Sequence, residues 1–74
     1  MSHSDFINRG NKLGRFIEEC GEALAAAGKS VRFGLDSYNP LVPEDQREKN
    51  RDWLKREIED LEVAIADVKK ILGD

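Results

Sequence analysis

Two apolar seams at helical spacing, separated by one cluster of helix breakers, predict an all-α chain: two long helices folded back as a hairpin. In the first seam Phe6, Gly10, Leu13, Ile17, Cys20, Leu24 and Ala27 follow one another at spacings of 4, 3, 4, 3, 4 and 3, the a/d period of a packed helix. In the second, Leu54, Ile58, Leu61, Ile65, Val68 and Leu72 repeat at 4, 3, 4, 3 and 4. Between them stands Asn39-Pro40-Leu41-Val42-Pro43, preceded by Gly28 and Gly34.

The ends of each element follow from local chemistry. Ser4 with Asp5 offers an N-cap, and Gly28 sits where a helix C-terminus favours glycine, so the first helix is expected over residues 4–27. Residues 28–42 then form a loop or short helical turn. Pro43 and the acidic pair Glu44-Asp45 suit a first turn and Gly73 suits an end, which places the second helix over 44–72. A hairpin of two helices has too little core to stand alone, so a partner chain is expected to complete a four-helix bundle as a homodimer or homotetramer.

Size and charge narrow the function. Seventy-four residues allow one small domain spanning 1–74, and a chain this short buries only ~60% of its unfolded surface. Twelve basic against fifteen acidic side chains give a net charge of −3. That sign argues against a dedicated nucleic-acid binder, which presents a basic face. Residues 1–37 carry five of each charge, and residues 38–74 carry seven basic and ten acidic, so the imbalance lies wholly in the second half. One cysteine and one histidine supply neither an internal disulfide nor a structural zinc site. Met1–Ser4 is polar with no apolar signal core, and no run approaches the ~18 apolar residues of a membrane span. The expectation is a soluble, cytoplasmic oligomer without a membrane partner.

The chemistry is carried by carboxylates. Glu18, Glu19 and Glu22 are related by i,i+3 and i,i+4 spacings and crowd one side of the first helix. Like charges so placed repel by ~0.2–0.5 kcal/mol per pair unless a cation neutralises them. The positions four before and four after Glu22 hold Glu18 and Ala26, neither of them basic. Glu57 and Asp60 repeat the device on the second helix. With the seam of that helix set at zero and about 100° per residue, Glu57 lies near −60° and Asp60 near −120°, among Trp53, Ala64 and Ile71 at about −80° to −100°. The pair thus occupies a second, partly apolar stripe beside the seam. Glu19, Glu22, Glu57 and Asp60 from facing helices would make an oxygen-only cage of the kind Mg²⁺ takes, with Mn²⁺ as a substitute. The competing reading is ordinary surface charge on two highly charged helices.

Glu18-Glu19-x-x-Glu22 followed by Glu57-x-x-Asp60 resembles the EExxE…ExxD signature of the MazG-like, all-α nucleoside triphosphate pyrophosphohydrolases. The flanking stretches agree: Arg15-Phe16-Ile17, Gly21-Glu22-Ala23, Ala27-Gly28-Lys29, Arg32-Phe33-Gly34, and Asn50-Arg51-Asp52-Trp53-Leu54, which is similar to short phage-type members. The resemblance covers residues 13–68. It implies hydrolysis of a nucleoside triphosphate to the monophosphate and pyrophosphate, with Glu19, Glu22, Glu57 and Asp60 holding Mg²⁺. It also implies that Glu18, or a metal-bound carboxylate such as Glu19, orients or deprotonates the attacking water. Two features depart from the family: only two helices are secured here, and 34 residues separate Glu22 from Glu57 because of an insertion over 35–50.

Other residues carry two readings each. Lys29 and Arg32 would contact phosphate oxygens, or simply sit as cations near a helix C-terminus. Trp53, with Phe33 or Tyr38, would stack on a base, or serve as a core or dimer contact. Asn11, Lys12 and Arg15 would touch a nucleotide or form a solvated face. Cys20 reads as a small buried residue rather than a nucleophile, and His3 as a terminal bystander. The alternatives to a hydrolase are a nucleotide-binding protein without turnover and a plain helical oligomerisation module.

Overall fold

The computed structural model describes the backbone of residues 3–73 and the side chains of residues 10–73. The chain forms helix α1 (His3–Phe33), a single 3₁₀ turn (Glu44–Gln46) and helix α2 (Asn50–Leu72), with no strand among the described residues. The expected all-α hairpin is present. α1 and α2 pack antiparallel: Asn50 at the start of α2 meets Lys29 and Gly34 at the end of α1, and Glu57 lies beside Glu19 and Glu22. The Ser4–Asp5 cap, His3 and the seam residue Phe6 have side chains that lie outside the described residues.

Both inner helix ends differ from expectation. α1 continues through Gly28 to Phe33, because Lys29 to Phe33 contains nothing that opposes a helix and one interior glycine costs only ~1 kcal/mol. The stop is Gly34, at φ +100°, the left-handed conformation in which a Cβ is strained. Its N–H donates to Ser30 O at 2.9 Å, and the Ser37 hydroxyl donates to the Phe33 carbonyl.

α2 begins at Asn50 rather than after Pro43. Pro43 starts only the 3₁₀ turn, and Arg47 is extended at φ −72°, ψ 136°. The Arg47 side chain explains the interruption. Its Nε donates to Val42 O at 2.9 Å, its Nη2 donates to Pro40 O at 3.3 Å, and its guanidinium stacks 4.8 Å from the Tyr38 ring centroid. The exposed N–H groups of the first turn of α2 are then met by the loop instead of a side-chain cap. Asn50 N donates to Ser37 O at 2.8 Å and Arg51 N to Leu35 O at 2.7 Å. The far end of α2 closes as expected, with Gly73 at φ +98°.

The packed face is a further correction. The expected seams are only partly covered: Ile17 is 70% exposed, Leu24 74% and Leu72 77%, with Leu13, Ile58 and Ile65 also exposed, whereas Val68 is buried and Cys20, Ala27, Leu54 and Leu61 are half-buried. Ala26, Ala64 and Val68 are the buried apolar side chains, with Asn50 and Glu57 beside them. The contact runs along Phe16, Glu19, Ala23, Ala26 and Ser30 on α1 and Asn50, Trp53, Glu57, Ala64 and Val68 on α2, all buried or half-buried. On α2 the contact is centred between the seam, which contributes Val68, and the second stripe, which carries Trp53, Glu57 and Ala64. Its small side chains let two helices approach closely, whereas the leucines and isoleucines are rotated aside by roughly 70–100°. The rotation has the same sense on both helices. Because they run antiparallel, the two aliphatic seams emerge on one side of the hairpin as a single apolar face. Among the described residues no large side chain is fully buried, and no helix is long and apolar enough to cross a membrane.

The two glycines at the end of α1 separate by experiment. At Gly28 an added Cβ meets nothing within 4 Å, so Gly28→Ala stabilises by ~0.5–1 kcal/mol. Gly34→Ala forces a Cβ onto a left-handed residue and destabilises by ~1–2 kcal/mol. Urea denaturation of both variants checks this, and a reversed order would move the helix end back to Gly28.

Candidate metal centre

Three of the acidic side chains singled out above converge in the contact between the helices. One carboxylate oxygen from each of Glu19, Glu22 and Glu57 lies within 4.8 Å of the others. Glu19 and Glu22 face α2 because they sit one turn apart on the inward side of α1. Glu57 is placed by the Ala64 stripe, four residues after Trp53, and is 4% exposed. Asp60 is half-buried one turn further on and stands outside this trio; Glu18 is exposed beside it.

The charges in this cluster are under-compensated. Glu57 Oε1 accepts a hydrogen bond from Arg56 Nη1 at 3.0 Å, and Arg56 Nη2 donates to Glu48 Oε1 at 3.0 Å. Glu57 Oε2 and Glu19 Oε2 are buried and accept no hydrogen bond. Burying unpaired carboxylate oxygens is costly, so the cluster stores unsatisfied negative charge. The Glu22 carboxyl is pushed up to about 6, first by the neighbouring Glu57 carboxylate, to which a protonated Glu22 would donate, and next by the negative charge of Glu19. An all-oxygen donor set with buried, unsatisfied lone pairs fits a hard divalent cation such as Mg²⁺.

Arg56 and Glu48 escape a reading by spacing. Residues i and i+1 on a helix do not face one another, and the guanidinium reaches Glu57 only by curling along its own helix. Glu48 joins them only because the loop folds back.

Beside the trio lies a cavity of about 630 Å³, between the end of α1, the 34–49 loop and the start of α2. Lys29, Phe33, Tyr38, Asn50 and Trp53 contribute to its wall. Asn50 holds the two sides together: its Nδ2 donates to Gly34 O at 3.0 Å and to Lys29 O at 3.4 Å. Arg32 does not line the cavity; it and Lys29 lie 5.2 and 5.4 Å from the Phe33 ring centroid. Trp53 lines the cavity and is half-buried, one turn before Glu57. Asn11, Lys12 and Arg15 are exposed, and Cys20 is a half-buried free thiol.

The chain matches no protein-family model, no curated protein and no solved structure.

The raised Glu22 sets a pH dependence with a definite sign. Between the ordinary 4.5 and about 6 the folded chain binds more protons than the unfolded one, so stability without metal falls as pH rises through that window. Asp36, held below its ordinary value by the hydrogen bond and charge of Arg51, loses its contribution only at lower pH, below 3.8. Melting temperature without divalent ions should therefore decrease from about pH 5 to about pH 7. The rise produced by Mg²⁺ should grow over the same range, because cation and proton compete for the same oxygens. A Mg²⁺ effect independent of pH would place the ion elsewhere.

Proposed function

We propose that this protein is a Mg²⁺-dependent nucleoside triphosphate pyrophosphohydrolase. Water attacks the α-phosphorus, the bond to the bridging oxygen of the β-phosphate breaks, and the products are nucleoside monophosphate and pyrophosphate. The observation that carries the reading is the Glu19–Glu22–Glu57 trio, with two buried carboxylate oxygens lacking partners. It matches the residues on which the resemblance to the MazG-like family rests.

Glu19, Glu22 and Glu57 would hold the metal, with Asp60 joining from the next turn of α2. When bound, the ion supplies charge neutralisation at the phosphate oxygens and acidifies coordinated water. The chain's own residues do the rest. Glu18, exposed beside the trio, accepts the proton of the attacking water, and Glu19 fixes the direction of attack. Arg56 keeps Glu57 in place through its 3.0 Å hydrogen bond. Lys29 and Arg32, at the end of α1, neutralise the triphosphate, and Trp53 borders the nucleoside.

The reading includes self-association. The apolar face formed by Leu13, Ile17 and Leu24 with Ile58, Ile65 and Leu72 is covered by a second copy, giving a four-helix bundle as a homodimer or homotetramer. What supports this is the continuity of that face and the small interior it leaves behind, centred on Ala26, Ala64 and Val68. The second reading is a nucleotide binder without turnover, favoured by the position of Asp60 outside the trio.

Two experiments test these statements. Release of monophosphate and pyrophosphate from a panel of nucleoside triphosphates, with Mg²⁺ or Mn²⁺ and an EDTA control, should be metal-dependent. It should fall at least about a hundredfold in Glu22→Gln and in Asp60→Asn, with helicity kept. Normal turnover in both variants would dismiss the assigned residues, and binding without turnover in the parent chain would favour the second reading. For assembly, light scattering should report a dimer or larger species, and the double change Ile17→Glu with Ile65→Glu should yield a monomer. A cooperatively folded monomer from the parent chain would overturn the bundle.

A further inference from the structure

The insertion that separates the two acidic motifs is the part of the chain the reaction above does not use, yet it encloses the cavity. We propose that the 34–49 loop, with Phe33 and Trp53, forms a nucleobase pocket, and that this loop sets which base the protein accepts. The proposal rests on the nucleotide reading above and deepens it.

The wall chemistry carries it. Three of the chain's five aromatic side chains, Phe33, Tyr38 and Trp53, border one cavity of about 630 Å³. That volume falls inside the ~300–1,000 Å³ of small-molecule sites, which pair apolar walls with a few polar groups. Aromatic walls suit a flat heterocycle, since every base offers a π-face. Polar groups stand at its edge. Asn39 uses its Oδ1 to accept the Leu41 N–H at 3.0 Å, which leaves its NH₂ free to donate. Gln46 also lines the cavity, and its carboxamide makes no hydrogen bond among the described residues. A carboxamide presents donor and acceptor together, the pattern that reads a base edge.

Position decides between a base and another flat ligand. Trp53 is four residues before Glu57, about 6 Å along the helix. A base held against Trp53 therefore leaves its sugar and phosphates within reach of the carboxylate trio. The pocket is also firmly built. Arg47 ties Tyr38 to the Pro40 and Val42 carbonyls, and Asn50 ties the loop stem to α1.

Trp53 is the only tryptophan, so its fluorescence reports on the pocket directly. The full-length chain is titrated with adenosine, guanosine, cytidine and uridine 5′-monophosphates in EDTA, with ribose 5-phosphate and tripolyphosphate as controls. Saturable quenching by one or more nucleotides and by neither control is the expected result. Tyr38→Ala should weaken that binding roughly tenfold, and Gln46→Ala should change the order of preference among the bases. Quenching by the controls as strong as by nucleotides, no quenching by any nucleotide, or both variants binding all four as the parent does would each overturn the proposal. Failure of the hydrolase reading looks different. Base-dependent quenching without turnover would leave the pocket standing, whereas metal-dependent hydrolysis of every base at one KM, without quenching, would remove the pocket and keep the reaction.

Discussion

The structure turns on a carboxylate placed between two helices. Glu57 is buried in the α1–α2 contact with one oxygen on Arg56 and the other without a partner. A buried charge is tolerated only where packing holds it, and here the packing uses small side chains, with Ala26 and Ala64 buried and Ala23 half-buried along the contact. The same register puts Glu19 and Glu22 opposite Glu57 and Trp53 opposite the end of α1. The trio, the cavity and the pairing of the helices are therefore one arrangement seen at three places. Shifting it by a turn would separate the carboxylates and open the cavity together.

This arrangement reverses the usual division of labour along an amphipathic helix. The small stripe, with its acidic groups, supplies the contact within the chain. Leucine and isoleucine side chains of the seams, Leu13, Ile17, Leu24, Ile58, Ile65 and Leu72, are left on one outer side. Hydrophobic burial within the single hairpin is correspondingly modest, since alanine contributes little area compared with leucine. Within the hairpin, the hydrogen-bonded junction near Asn50 is therefore important.

Much of this was legible in the sequence, and the exceptions have physical causes. Seam spacing located both helices, and angular position marked Glu57, Trp53 and Ala64 as sharing a stripe distinct from the leucines. Hydrophobicity then pointed to the seams as the internal contact, of which Val68 is buried but Ile17, Leu24 and Leu72 are exposed, because period alone does not tell which partner an apolar face meets. Gly28 resembles a helix stop only by residue type; Gly34 is one by conformation. Pro43 carries a helix-start signal that Arg47 overrides, through bonds to carbonyls five and seven residues earlier. Arg56 is adjacent in sequence to the residue it serves, where spacing rules are silent.

The junction at the base of the loop has a consequence for how such a chain can diversify. Backbone bonds from Asn50 and Arg51 to Ser37 and Leu35, with the Asn50 side chain on Gly34 and Lys29, close the stem independently of what lies above it. Residues 38–47 sit above a closed stem, while Glu48 stays tied to Arg56; loop length itself costs little, about 0.6 kcal/mol per doubling. The stem thus acts as a fixed frame, in which the loop above it can change in length or sequence without re-registering the helices.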